Sequence, residues 1–162
     1  MHLYIVRHGV AAPAATGGDA ARELTQQGRL LLKHQCTALA AAQIPVEALL
    51  HSPLVRARQT AELLAPAFQC EPEPERLMAP GVTVDDLAEI AGRYSEDAHV
   101  MVIGHQPDLG RLVKRFTQAD VRVVEGIIMV VDVRSFASPR GFISGIYHPE
   151  TLARIGAAMG EG

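Results

Sequence analysis

The chain has 162 residues, of which 48% are hydrophobic and 20% charged, and a formal net charge of -3. This length predicts one domain over residues 1–162 around a single core, and the composition excludes an intrinsically disordered chain. The charge gives no electrostatic case for nucleic acid, and no apolar stretch nears the roughly 20 residues that cross a bilayer. The N-terminus lacks a signal-peptide pattern, so the expected compartment is the cytoplasm, without membrane attachment.

Leu3-Tyr4-Ile5-Val6 reads as a buried strand that emerges into a loop at Arg7-His8-Gly9. Leu24, Leu31, Leu32, Leu39 and Ala42 recur at helical spacing around the N-cap candidate Thr25, predicting a helix over 25–42 that Pro45 ends. Ala48-Leu49-Leu50 is a short strand. Ser52-Pro53 then reads as a helix start, with Ser52 as capping hydroxyl, Ala57, Ala61 and Leu64 as the packed face, and Pro66 as the stop. Between Cys70 and Gly81, Pro72, Pro74 and Pro80 alternate with Glu71, Glu73 and Glu75, which predicts an exposed connection.

Val84, Leu87, Ala88 and Ala91 mark another helix, and Val100 to Ile103 is a strand buried on both faces. Gly104-His105-Gln106-Pro107 turns the chain into a helix running to about Arg115. Two β-rich segments, 127–133 and 142–147, suggest edge strands joined through Ser138-Pro139-Arg140-Gly141, followed by a helix over 149–158 and a Gly-rich end. The rhythm of strand and helix predicts an α/β fold. Cys36 and Cys70 have neither metal-ligand nor redox spacing and read as free thiols.

Three strand ends carry the candidate chemistry. Arg7 offers a planar fork of donors to an anion, His8 is a nucleophile when neutral, and Gly9 lets the backbone turn closely around both. Arg56 falls in the first turn of its helix, so its side chain tilts back toward the strand end, beside the helix's free N–H groups. Arg58 faces elsewhere. His105 follows the third strand. Two histidines and two arginines converging at one sheet edge would form an electropositive pocket for a phosphoryl group. There is no phosphate-binding GxxxxGK[ST] loop and no carboxylate cluster for magnesium, and His2, His34, His51, His99 and His148 show no paired ligand spacing, so no metal or other cofactor is expected.

Arg7-His8-Gly9, Arg22-Glu23-Leu24-Thr25, Ser52-Pro53 with Arg56 and Gln59-Thr60-Ala61, and Gly104-His105 with Pro107 resemble, in order and spacing, the histidine phosphatase superfamily. The short length and the absence of a large inserted lid make the chain most similar to its SixA-type phosphohistidine phosphatases. The resemblance implies a three-layer α/β/α sandwich of phosphoglycerate mutase-like type, with a mostly parallel central sheet and an antiparallel edge. It also implies that His8 takes the phosphoryl group, that Arg7, Arg56 and His105 hold its oxygens, and that Arg22 contacts phosphate or partner. The implied substrate is a phosphorylated histidine on a phosphotransfer or phosphocarrier protein, and the expected state is a monomer.

For these roles His8 should be neutral and His105 an imidazolium, so the pocket is expected to separate their protonation. No position matches the superfamily's acid that protonates an alkoxide leaving group. Glu75 and Asp19 are candidates by loop location alone, and both read more simply as solvated charges. A phosphatase of small phosphomonoesters and a non-catalytic phosphate-binding module stand as alternatives. A mutase fits worse, because the chain is short and lacks an acid-bearing insertion.

Overall fold

The computed structural model describes residues 1–14 and 17–160; Gly162, in the expected Gly-rich end, lies outside them. Six strands form one sheet: β1 (His2–Arg7), β2 (Ala48–His51), β3 (Pro72–Pro74), β4 (His99–Gly104), β5 (Ile128–Ser135) and β6 (Arg140–Tyr147). The order across the sheet is β3-β2-β4-β1-β5-β6. The pairs from β3 through β1 are parallel, and those from β1 through β6 are antiparallel. Strand β4 therefore lies between β1 and β2, although the chain reaches it last of the three.

Alternation along the strands builds a core on each face of the sheet. On one face Leu3, Ile5, Val100, Val102, Met129 and Val131 meet Leu87 and Ile90 of α3 (Val84–Ala91) and Leu109, Leu112, Val113 and Phe116 of α4 (Asp108–Thr117). On the other, Tyr4, Val6, Leu49, Met101, Ile103 and Val130 meet α1 (Gln26–Ala42), α2 (Val55–Leu64) and Leu152 of α5 (Pro149–Gly160). The result is the expected three-layer α/β/α sandwich. Thr25 caps α1 as its sequence position predicts, its side chain accepting the Gly28 N–H at 2.9 Å. Both cysteines are free.

Three local expectations are corrected. The 70–81 segment holds an edge strand, β3, and a 3₁₀ turn at Arg76–Met78 with Met78 fully buried. Prolines are tolerated in β3 because it is outermost, where a missing N–H leaves no partner strand unsatisfied. Strand β5 is internal, between β1 and β6, so of these two strands β6 alone is an edge. The hairpin between them turns over residues 136–139, two positions earlier than the Ser-Pro-Arg-Gly composition indicates, because β6 already begins at Arg140.

Gly156 of α5 packs directly on α1, where a Cβ would overlap the carbonyl oxygen of His34. Backbone atoms cannot rotate away as a side chain can. Gly156→Ala is therefore expected to lower stability by about 1–3 kcal/mol or more, read as a reduced urea midpoint at unchanged slope.

Candidate active site

The site follows from strand pairing. Ile103 faces His51 and Gly104 faces Arg7, so Ser52, His105 and His8 emerge side by side at the carboxyl edge of β2, β4 and β1. Backbone bonds extend this register past the strands, from Ser52 N–H to the Ile103 oxygen (2.9 Å) and from His8 N–H to the Gly104 oxygen (3.2 Å). The His8 and His105 rings lie 5.2 Å apart between centroids, and His8, Ser52, Arg56 and His105 are all buried. The structure thus brings together three of the strand-end residues predicted from sequence, His8, Arg56 and His105, with Arg7 at the base of the same edge.

His8 Nδ1–H donates to the Gly9 carbonyl at 2.8 Å. A carbonyl can only accept, so this bond puts the proton on Nδ1 and leaves a lone pair on Nε2. Arg56 Nε–H points at that lone pair from 3.2 Å. Gly9 packs closely against side chains: a Cβ there would meet Leu32 Cδ1 at 2.7 Å and Leu24 Cδ2 at 3.3 Å, so the leucine ends would have to shift. Its N–H donates to Thr60 Oγ1 (3.0 Å), whose hydroxyl donates to the Arg56 carbonyl (2.7 Å), and Gln59 Oε1 accepts the Leu24 N–H (2.9 Å). These contacts join the first strand end to α2 and give Gln59 and Thr60 structural work that the motif alone does not reveal.

Arg7 is aimed by the segment before β5. Its NH1 donates to the Val123 carbonyl at 2.8 Å and its NH2 to Glu125 Oε1 at 3.0 Å, while its Nε is buried without a hydrogen-bond partner. Gly126, at φ 79, then closes the turn, its N–H reaching the carbonyls of both Arg7 (3.0 Å) and His8 (3.1 Å). Sequence reading missed Glu125. It stands 118 positions from Arg7 in a segment with no motif, and no local signal announces the pair.

Ser52 is not the cap of α2; Leu54 holds that position and the helix starts at Val55. The Ser52 hydroxyl instead meets His105 Nε2 at 2.7 Å, leaving His105 Nδ1 buried with no partner. Among the described residues, Arg7 Nε and His105 Nδ1 are therefore buried nitrogens that meet no partner. Such groups are costly unless something meets them, and an entering oxyanion would.

Glu75 is not a solvated charge, whereas Asp19 is solvent-exposed as expected but ion-paired. Glu75 is buried at the end of β3, where its carboxylate accepts from Arg93 and from the Leu77 N–H. Asp19, in a 3₁₀ turn at Asp19–Ala21, accepts from Arg56 NH1 through its backbone oxygen (2.7 Å) and from Arg56 NH2 through Oδ2 (3.0 Å). Arg22 donates to the Ala12 carbonyl (2.7 Å) and to Asp19 Oδ1 (3.0 Å), so it joins the pocket through Asp19. Among the described residues, no group of three or more His, Cys, Asp or Glu side chains is placed to hold a metal ion.

The expected split between the two histidines does not appear. Burial, reinforced by the Arg56 and Arg7 cations and opposed by the Gly9 bond, lowers His8 to about 4. Burial together with His8, Arg56 and Arg7 lowers His105 to about 3. The partner of His105 is a serine, which supplies no charge to hold a proton. Both rings are neutral near pH 7, and an arriving phosphoryl anion would favour protonation.

The sequence profile of the Histidine phosphatase superfamily (branch 1) matches residues 3–91, a span containing the first two strand ends. The chain belongs to this superfamily and is a phosphatase. Its fold superposes on the protein histidine phosphatase SixA complexed with tungstate at a TM-score of 0.81, with 26% identity over 94% of this chain and 99% of that one. Within the superfamily it is of SixA type. A phosphoserine phosphatase variant of Entamoeba histolytica shares the fold at a TM-score of 0.70 and 12% identity, over 93% of this chain and 98% of that one. An uncharacterised protein of Picosynechococcus sp. is 39% identical over 115 residues, covering 68% of this chain and 69% of its own.

Because both folded-state values lie below the ordinary 6.5, the rings take up protons only as pH falls toward 4. NMR titration of the ligand-free protein should show neither His8 nor His105 titrating between about pH 5 and pH 8. A midpoint near the ordinary histidine value for either ring would mean that the pocket is open to water. Adding tungstate should move both midpoints upward.

Proposed function

We propose that this phosphatase removes the phosphoryl group from phosphohistidine on a phosphotransfer or phosphocarrier protein, by way of a covalent phosphohistidine on His8. The observation that carries this reading is the lone pair of the buried His8 Nε2, held against Arg56 Nε by the Nδ1–H bond to Gly9. A neutral imidazole at pH 7 is the reactive form for attack on phosphorus. Arg56, Arg7 Nε and His105 Nδ1 would take the phosphoryl oxygens, replacing their desolvation cost with charge-assisted bonds. Water then attacks the phosphohistidine and frees phosphate. Fixed cations supply the electrostatic stabilisation, so the proposed reaction needs no metal.

Support for the substrate comes from the SixA fold match and from the element order, which among the described residues holds no large insertion. The proposed partner is a protein, met in the cytoplasm by a monomer. A second reading, a phosphatase of small phosphomonoesters, is favoured by a different observation: the fold also matches phosphoserine phosphatase and mycobacterial glucosyl-3-phosphoglycerate phosphatase.

Hydrolysis of a histidine-phosphorylated phosphocarrier protein should exceed that of phosphomonoesters in kcat/KM, and His8→Ala should reduce it by roughly 10³-fold or more. Equal rates for variant and parent would remove His8 as nucleophile. Turnover of monoesters with the phosphoprotein untouched would establish the second reading, and oxyanion binding without turnover of either would leave a binding module.

A further inference from the structure

Arg56 has three donor nitrogens, and all are engaged. Nε meets His8 Nε2 at 3.2 Å, NH1 meets the Asp19 carbonyl at 2.7 Å, and NH2 meets Asp19 Oδ2 at 3.0 Å. Nε and NH2 share one edge of the guanidinium, the kind of edge that grips two oxygens of a carboxylate or phosphate. Here Nε meets the nucleophilic nitrogen, and NH2 meets a carboxylate. Asp19 Oδ2 thus engages a nitrogen of Arg56 that a phosphoryl oxygen arriving at His8 Nε2 would also use.

The pair is asymmetric: the Arg56 side chain is 6% exposed and that of Asp19 62%. The cation is buried, and the anion is open to solvent. Asp19 follows Gly17 and Gly18, the latter at φ 74, and its other oxygen stays on Arg22 NH1 at 3.0 Å. Hydrogen bonds from Arg22 and Arg56 keep its carboxyl below the usual carboxylate range, so it is ionised at neutral pH and has no proton to give.

We propose that Asp19 is a specificity-determining residue: it yields Arg56 NH2 to the incoming phosphoryl group and then accepts a hydrogen bond from a protonated imidazole leaving group. This rests on His8 being the nucleophile, as proposed above. The phosphohistidine ring is protonated on its free nitrogen by exchange with the buffered solvent before it binds, and the Asp19 carboxylate stabilises that protonated ring. The His8 Nε2 lone pair forms the new N–P bond as the substrate's P–N bond breaks. That bond's electron pair stays on the ring nitrogen, and a neutral imidazole departs with its proton. A phosphomonoester gains nothing from the same carboxylate, because its alkoxide needs a proton that Asp19 lacks. Its phosphoryl group meets only the repulsion.

The test uses the full chain and its Asp19→Asn and Asp19→Ala variants, with N-phosphorylated histidine, phosphoserine and tungstate as probes. Removing the competing charge should tighten tungstate inhibition about tenfold in both variants, and lower the kcat/KM preference for phosphohistidine over phosphoserine about tenfold. Unchanged or weaker tungstate inhibition overturns the displacement of Asp19. An unchanged preference, with phosphohistidine still hydrolysed by the parent, overturns the leaving-group role while the proposed function stands. Equal loss on both substrates, with the basic limb of the pH profile abolished, makes Asp19 a general acid instead and also overturns the proposal. A parent that hydrolyses phosphoserine but not phosphohistidine removes the substrate reading and, with it, the leaving-group role.

Discussion

Strand β4 inserted between β1 and β2 is the constraint on which the pocket depends. Parallel pairing sets the three strands in register, so the residues that follow them leave the sheet in one row. His8, Ser52 and His105 are far apart along the chain and adjacent only here. The row sits at the carboxyl edge of the parallel strands, where α/β sheets gather their ligands. It is also the point at which the sheet changes from parallel to antiparallel, and the segment entering β5 brings Glu125 and Gly126 against Arg7 and His8.

Charge in the pocket is arranged around cations that carry their own anions. Arg56 is paired with Asp19, and Arg7 with Glu125. A buried guanidinium without a counter-charge would be costly, so these carboxylates stabilise the free protein while leaving Arg7 Nε and His105 Nδ1 unpartnered. The two histidines respond to the same surroundings in the same direction. Their difference lies in hydrogen bonding: His8 gives its Nδ1–H to a carbonyl and exposes a lone pair to Arg56, whereas His105 engages a hydroxyl through Nε2.

Much of the fold was legible because hydrophobic periodicity reports it directly. Val100 to Ile103 and the Thr25 cap stand where sequence reasoning puts them. The errors have local causes. Prolines at 72 and 74 read as a loop, because composition does not say that a strand is outermost in its sheet. Ser52-Pro53 matches a helix start, but whether a serine hydroxyl caps a helix or meets His105 depends on which strand is its neighbour.

By itself the sequence pointed to Arg7, His8, Arg56 and His105 as the candidates for phosphoryl chemistry, and put each at or beside a strand end. Those are properties of residue type and local periodicity. Tertiary structure alone decided the protonation state of both rings, the placement of Asp19 on Arg56 and of Glu125 on Arg7, and the ion pairing of Glu75. Each depends on burial or on a partner distant in sequence, and long-range contacts of this kind leave no local pattern to read.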